Sequence, residues 1–115
     1  MRFYMLKYKC VKALQREAIR MNLKIKDENT ELLCQAILTL KNMDECYDFF
    51  EDLCTVPEIK AMAQRIAVAK MLSSKNVYSE IVARTGASTA TISRVKRSLE
   101  YGCDAYKLAF ERIGE

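Results

Sequence analysis

From Thr85 to Gly102 the chain reads TGASTATISRVKRSLEYG. Short hydroxyl and methyl side chains come first: Ser88, Thr89, Ala90, Thr91 and Ser93. Arg94, Lys96 and Arg97 follow directly behind them. Small groups at the front of a helix permit close approach, and their hydroxyls and methyls suit base edges in a major groove. Cations further along can reach backbone phosphates, adding salt-sensitive affinity that carries no sequence information. The plain alternative is a capped surface helix with exposed cations.

The elements that would position these residues separate the two readings. The pattern predicts short helices over about residues 78–85 and 89–99, joined through Gly86-Ala87-Ser88. Gly86 suits the left-handed conformation of a sharp exit from a helix, and Ser88 is a good N-cap. Ile81 and Val82 on the first helix can pack against Ile92, Val95 and Leu99 on the second. A rotation of about 100° per residue then sends Ala90, Ser93, Arg94 and Arg97 to the opposite face. Cap, turn glycine, core spacing and charge agree on a helix-turn-helix.

The remainder of the chain reads as helices as well. Half of the 115 residues are hydrophobic, with only three Gly and one Pro to interrupt them. No Asn-Gly or Asp-Gly hairpin turn is present, and the composition favours helix. The expected class is all-α. Residues 1–24 can be drawn as a basic amphipathic helix through Tyr8, Val11, Leu14, Ala18 and Met21. Asn29 or Thr30 is placed to cap a helix with apolar residues Leu32, Leu33, Ala36, Ile37 and Leu40. Asp44 opens a helix through Tyr47, Phe49, Phe50 and Leu53. Pro57 beside Glu58 marks a helix start, with Ile59, Met62, Ala63, Ile66, Ala69 and Leu72 as its apolar face. A last helix runs from about Asp104 to Ile113. The expected organisation is a basic N-terminal extension, 1–26, and a six-helix domain, 27–115, with its helix-turn-helix at about 78–99.

Charge follows that division. Residues 1–26 hold eight Lys or Arg against Glu17, a net +7, and residues 27–58 hold nine acids against Lys41, a net −8. Residues 59–99 return to a net +7, with Glu80 the lone acid, and residues 100–115 carry −2. The basic block therefore coincides with the helix-turn-helix, the shape in which positive charge points to duplex DNA. The reading from another class is a protein-interaction module that pairs through the acidic 27–58 segment with a basic partner.

Several classes fall away. The chain has no histidine, and its five cysteines (Cys10, Cys34, Cys46, Cys54 and Cys103) are scattered without a Cys-x-x-Cys pair. Buried, reduced thiols are expected, with no metal site. No stretch approaches the roughly 20 apolar residues of a membrane span. The N-terminus lacks a signal-peptide core, so a cytoplasmic, non-membrane protein is expected. No nucleophile elbow or glycine-rich phosphate loop suggests an enzyme.

AQRIAVAKML, the helix pair around TGASTATISR, and SLEYG resemble the Trp repressor family. The likeness is strongest to its TrpR-related proteins of the YerC/YecD type, whose opening helices ELLCQAILTLKNMDECYDFFEDLCTVPEI also resembles. The resemblance covers about residues 28–113. It implies an intertwined all-helical homodimer with two reading heads on double-stranded DNA, and a role in transcription regulation as a repressor. Arg65 and Arg94 match the arginines that sandwich tryptophan in the repressor, and Thr55 and Ser98 fall near other positions of that pocket. These four are the candidate effector-binding residues. Val95 stands where the repressor has glycine beside the indole. A smaller corepressor, or none, is therefore expected, and no other cofactor.

Overall fold

The computed structural model describes residues 27–114, which hold six α-helices and no strand. They are α1 (Glu28–Ile37), α2 (Met43–Leu53), α3 (Val56–Ser73), α4 (Tyr78–Thr85), α5 (Thr89–Tyr101) and α6 (Ala105–Ile113). The amphipathic helix expected over 1–24 lies outside the described residues. Contacts divide the chain into two compact units that meet after Cys46, within α2.

In the first unit, side chains end the helices locally. Asp27, rather than Asn29 or Thr30, caps α1, accepting from the Thr30 N–H at 2.7 Å. Asp27 alone adopts the extended backbone that a cap requires, while Asn29 and Thr30 are already helical. The Thr30 amide is also the main reason the exposed Asp27 carboxyl is held below its ordinary range. Leu40 lies beyond the end of α1, which stops at Ile37. Asn42 rather than Asp44 precedes the opening of α2, its Oδ1 accepting from the Glu45 N–H at 2.9 Å. Glu45 reaches back to accept from the Asn42 side chain at 3.2 Å.

The second unit is organised by α3. Thr55 caps it with a reciprocal box, in which the Thr55 N–H donates to Glu58 at 2.9 Å and the Glu58 N–H donates to the Thr55 hydroxyl. The Thr55 backbone N–H, then the Thr55 hydroxyl, lowers the Glu58 carboxyl from its ordinary 4.5. The helix begins at Val56, so Pro57 stands one residue inside the expected first position, still within the turn whose N–H groups have no helical partner.

Helix α3 has two apolar sides, and the expected face straddles them: Ala69 and Leu72 lie on the inner side, Ile59, Met62, Ala63 and Ile66 on the outer. Val68 and Ala69 are fully buried, and Met71 and Leu72 pack beside them. Roughly 120–180° round the helix from Val68 at about 100° per residue, Ile59, Met62, Ala63 and Ile66 form a second stripe, with Ile66 51% exposed. The inner side rests on α4, α5 and α6. Val68, Ala69, Ile81, Ala87, Ile92 and Val95 make the core, flanked by Leu99, Tyr106 and Phe110. Burying each large aliphatic side chain there contributes about 1.5–3 kcal/mol. Val82, expected in this core, is 40% exposed, because it follows Ile81 by one residue and points about 100° away from it.

The thiols differ from expectation too. Cys34 and Cys103 are exposed, and Cys46 and Cys54 are half-buried, all of them free.

Candidate nucleic-acid interface

The α4–α5 connection is held on three sides. Gly86 has φ +68°, and its N–H donates to the Val82 carbonyl at 2.9 Å, closing α4 in the left-handed turn expected of it. A side chain at this position would be strained whatever the free space. The Thr85 hydroxyl donates back to the Ile81 carbonyl at 2.6 Å and accepts from the Ala87 N–H at 3.1 Å. From α3, the Gln64 side-chain amide donates to the Thr85 carbonyl at 3.0 Å. Ala87 is 2% exposed, so the middle of the turn is itself core. The two helices are thus fixed relative to each other and to α3.

Ser88 caps α5, accepting from the Thr91 N–H at 3.1 Å, and its hydroxyl also donates to the Thr91 hydroxyl. Ile92 and Val95 face the core, as their spacing predicted. Ser88, Thr89, Ala90, Ser93, Arg94, Lys96 and Arg97 are exposed, and Thr91 is half-buried. Ala90, Ser93, Arg94 and Arg97 share the side of α5 opposite the core, so the small residues and arginines form one outward face. Helix α5 continues to Tyr101, where Gly102 ends it with its N–H on the Ser98 carbonyl at 2.9 Å. A Cβ at Gly102 would collide with that same carbonyl. Beside the outward face runs a cleft of about 660 Å³ lined by Tyr78, Ser93, Lys96, Arg97, Glu100 and Tyr101.

The family model for the Trp repressor protein matches residues 28–113, from the first turn of α1 to the end of α6. The chain belongs to the Trp repressor family. This is a family of transcription regulators. The chain is 53% identical over 92 residues to the uncharacterized protein YerC of Bacillus subtilis (strain 168), covering 80% of this chain and 88% of YerC. It superposes with TM-score 0.76 on the crystal structure of a TrpR-like protein from Eubacterium eligens ATCC 27750, at 58% identity. That match covers 79% of this chain and 94% of the other. A putative Trp repressor from Staphylococcus aureus gives TM-score 0.75 at 50% identity, with the same coverage of each chain.

The four effector candidates of this Trp repressor family member lie on two helices, Thr55 and Arg65 at the cap and middle of α3 and Arg94 and Ser98 on α5. Thr55 and Arg65 are separated along α3 by about 15 Å at 1.5 Å per residue. The Thr55 hydroxyl is already committed to Glu58. Arg65 is half-buried, while Arg94 and Ser98 are exposed one turn apart on α5. None of the four lines the 660 Å³ cleft. Two residues with a clear part in the site escaped the sequence reading. Gln64 needed knowledge that α3 passes behind the turn. Tyr78 had a signal in the sequence, an aromatic side chain opening a helix inside a basic block.

Among the described residues no group of His, Cys, Asp and Glu is arranged to hold a metal ion. No helix among them is long and apolar enough to cross a membrane.

Proposed function

We propose that this protein is a homodimeric transcription regulator, acting as a repressor, that binds duplex DNA sequence-specifically through α5. One observation carries the reading: the small side chains and arginines of α5 form a continuous exposed face opposite the core, on a helix-turn-helix locked to α3. Ser88, Thr89, Ala90, Thr91 and Ser93 approach base edges, and Arg94, Lys96 and Arg97 meet phosphates.

The dimer reading is supported by apolar surface of a kind that single chains rarely leave open. Leu32 and Leu38 in the first unit are 64% and 83% exposed, and Tyr47, Leu53, Val56 and Ile66 are exposed in the second, with Ile59 and Met62 half-buried beside Ile66. Two reading heads about one helical turn apart select a near-palindromic site.

Tryptophan is not the effector in this reading. Val95 is 2% exposed and packed within the core, so the space that a glycine leaves for an indole is filled. A smaller ligand held by Thr55, Arg65, Arg94 and Ser98, or no ligand, fits better.

Selecting bound duplexes from a random DNA pool with the full chain tests the function. The expected result is enrichment of two related half-sites about 10 base pairs apart. Failure to enrich any sequence, with binding indifferent to salt, overturns the reading and favours partner capture through the acidic 27–58 segment.

A further inference from the structure

Resting on that reading, we infer that Tyr78 is a positioning residue of the DNA interface, its ring holding the Lys96 ammonium in the cleft beside α5 for a backbone phosphate. Tyr78 opens α4, and Lys96 lies on α5 at the border between its core side and its outward face. Their meeting is tertiary: the Lys96 Nζ stands 5.8 Å from the Tyr78 ring centroid, within the roughly 6 Å range of a cation–π contact. A free lysine must give up rotamer freedom to bind, and a ring that already orders it lowers that cost. Tyr78 is 39% exposed, so the ring supports the lysine at the surface and leaves the ammonium accessible.

The lining of the cleft fits a phosphate. Arg97 adds a second cation and Ser93 a hydroxyl donor, next to Lys96 along α5. Glu100 is the one acid in the lining, and it disfavours an anion at its own end. The phosphate therefore sits toward Ser93 and Arg97. The cleft flanks the later turns of α5, behind the front turn at Thr89–Thr91 that approaches the bases, which is where a backbone strand would pass.

The test measures duplex binding by fluorescence anisotropy over a salt series, with the full chain and its variants checked for folding by thermal melts. Tyr78→Leu is expected to weaken all duplexes alike, by roughly two- to five-fold. Tyr78→Phe keeps the ring and stays within about two-fold of the parent. Lys96→Ala lowers the salt slope by about one, and adding Tyr78→Leu to it costs nothing more. If Tyr78→Phe loses as much as Tyr78→Leu, or Tyr78→Leu takes its full loss without Lys96, the inference is overturned. Those two comparisons still decide if Tyr78→Leu lowers the melting temperature, because they are made where every variant is folded. Tyr78 variants that bind like the parent overturn this inference alone, whereas a parent chain without salt-dependent duplex binding overturns the DNA reading as well. Inorganic phosphate is titrated separately by calorimetry. Saturable binding that Tyr78→Leu removes would make the cleft a free-anion site and refute its assignment to DNA.

Discussion

Val95→Ala probes the core and the effector argument together. Val95 is 2% exposed and sits with Val68, Ile81 and Ile92 at the centre of the second unit. Removing its two methyl groups forfeits about 1.6 kcal/mol at roughly 0.8 per buried carbon. A residual cavity of about 50 Å³, at about 24 cal/mol per Å³, adds about 1.2 kcal/mol. Alanine's better helix propensity returns about 0.5 kcal/mol. The net loss is about 2 kcal/mol, a fall in Tm of roughly 8–16 °C for a domain of this size. Thermal unfolding by circular dichroism at equal chain concentration measures it. L-tryptophan at millimolar concentration is expected to give no saturable heat with the parent chain and no change in its DNA affinity. A Tm shift under about 2 °C would mean that Val95 is not packed as described. Micromolar tryptophan affinity coupled to tighter DNA binding would refute the argument that a buried valine closes the indole site.

Three further outcomes are expected. Arg97→Ala should weaken all duplexes similarly and reduce the salt slope by about one; a change in the preferred sequence would show that Arg97 reads bases. Sedimentation should give twice the 13.3 kDa chain mass, and Ile66→Asp, which puts a charge on the outer stripe of α3, should yield monomers. A parent chain that stays monomeric at micromolar concentration removes the two-headed DNA model. The third concerns Glu58, whose carboxyl is lowered in the folded protein by the Thr55 amide and hydroxyl. Its stabilising contribution is complete above the ordinary 4.5 and is lost as pH falls through the lower folded value. Glu58→Gln should therefore flatten that part of the Tm–pH profile, and an unchanged acid limb would count against the capping box.

The helices and their ends were legible wherever the deciding interaction is local. Gly86, Ser88 and the Ile92/Val95 spacing specify the turn and the inward face of α5 within a dozen residues, and the structure keeps all three. The position of a cap is local as well, but neighbouring polar residues compete for it. Asp27 outcompetes Asn29 and Thr30 at α1, and Asn42 precedes Asp44 at α2, because only one residue in each run precedes the first helical turn with its side chain free to fold back.

Which side of an element is buried depends on neighbours that the local pattern does not contain. Helix α3 is apolar on two sides, so periodicity nominated Ile59, Met62 and Ile66 along with the buried Ala69 and the core-packed Leu72, but could not reveal that Val68 rests on α4–α6 with them. Val82 is as hydrophobic as Ile81, and only the direction from which α5 and α3 approach α4 exposes it. The contacts from Gln64 to Thr85 and from Lys96 to Tyr78 join residues 21 and 18 positions apart. Residue types along the chain determined that α5 would be a small-fronted, basic helix on a tight turn. Tertiary packing decided what stands behind that turn and which ring orders its lysine, because those contacts exist only once separate helices share one core.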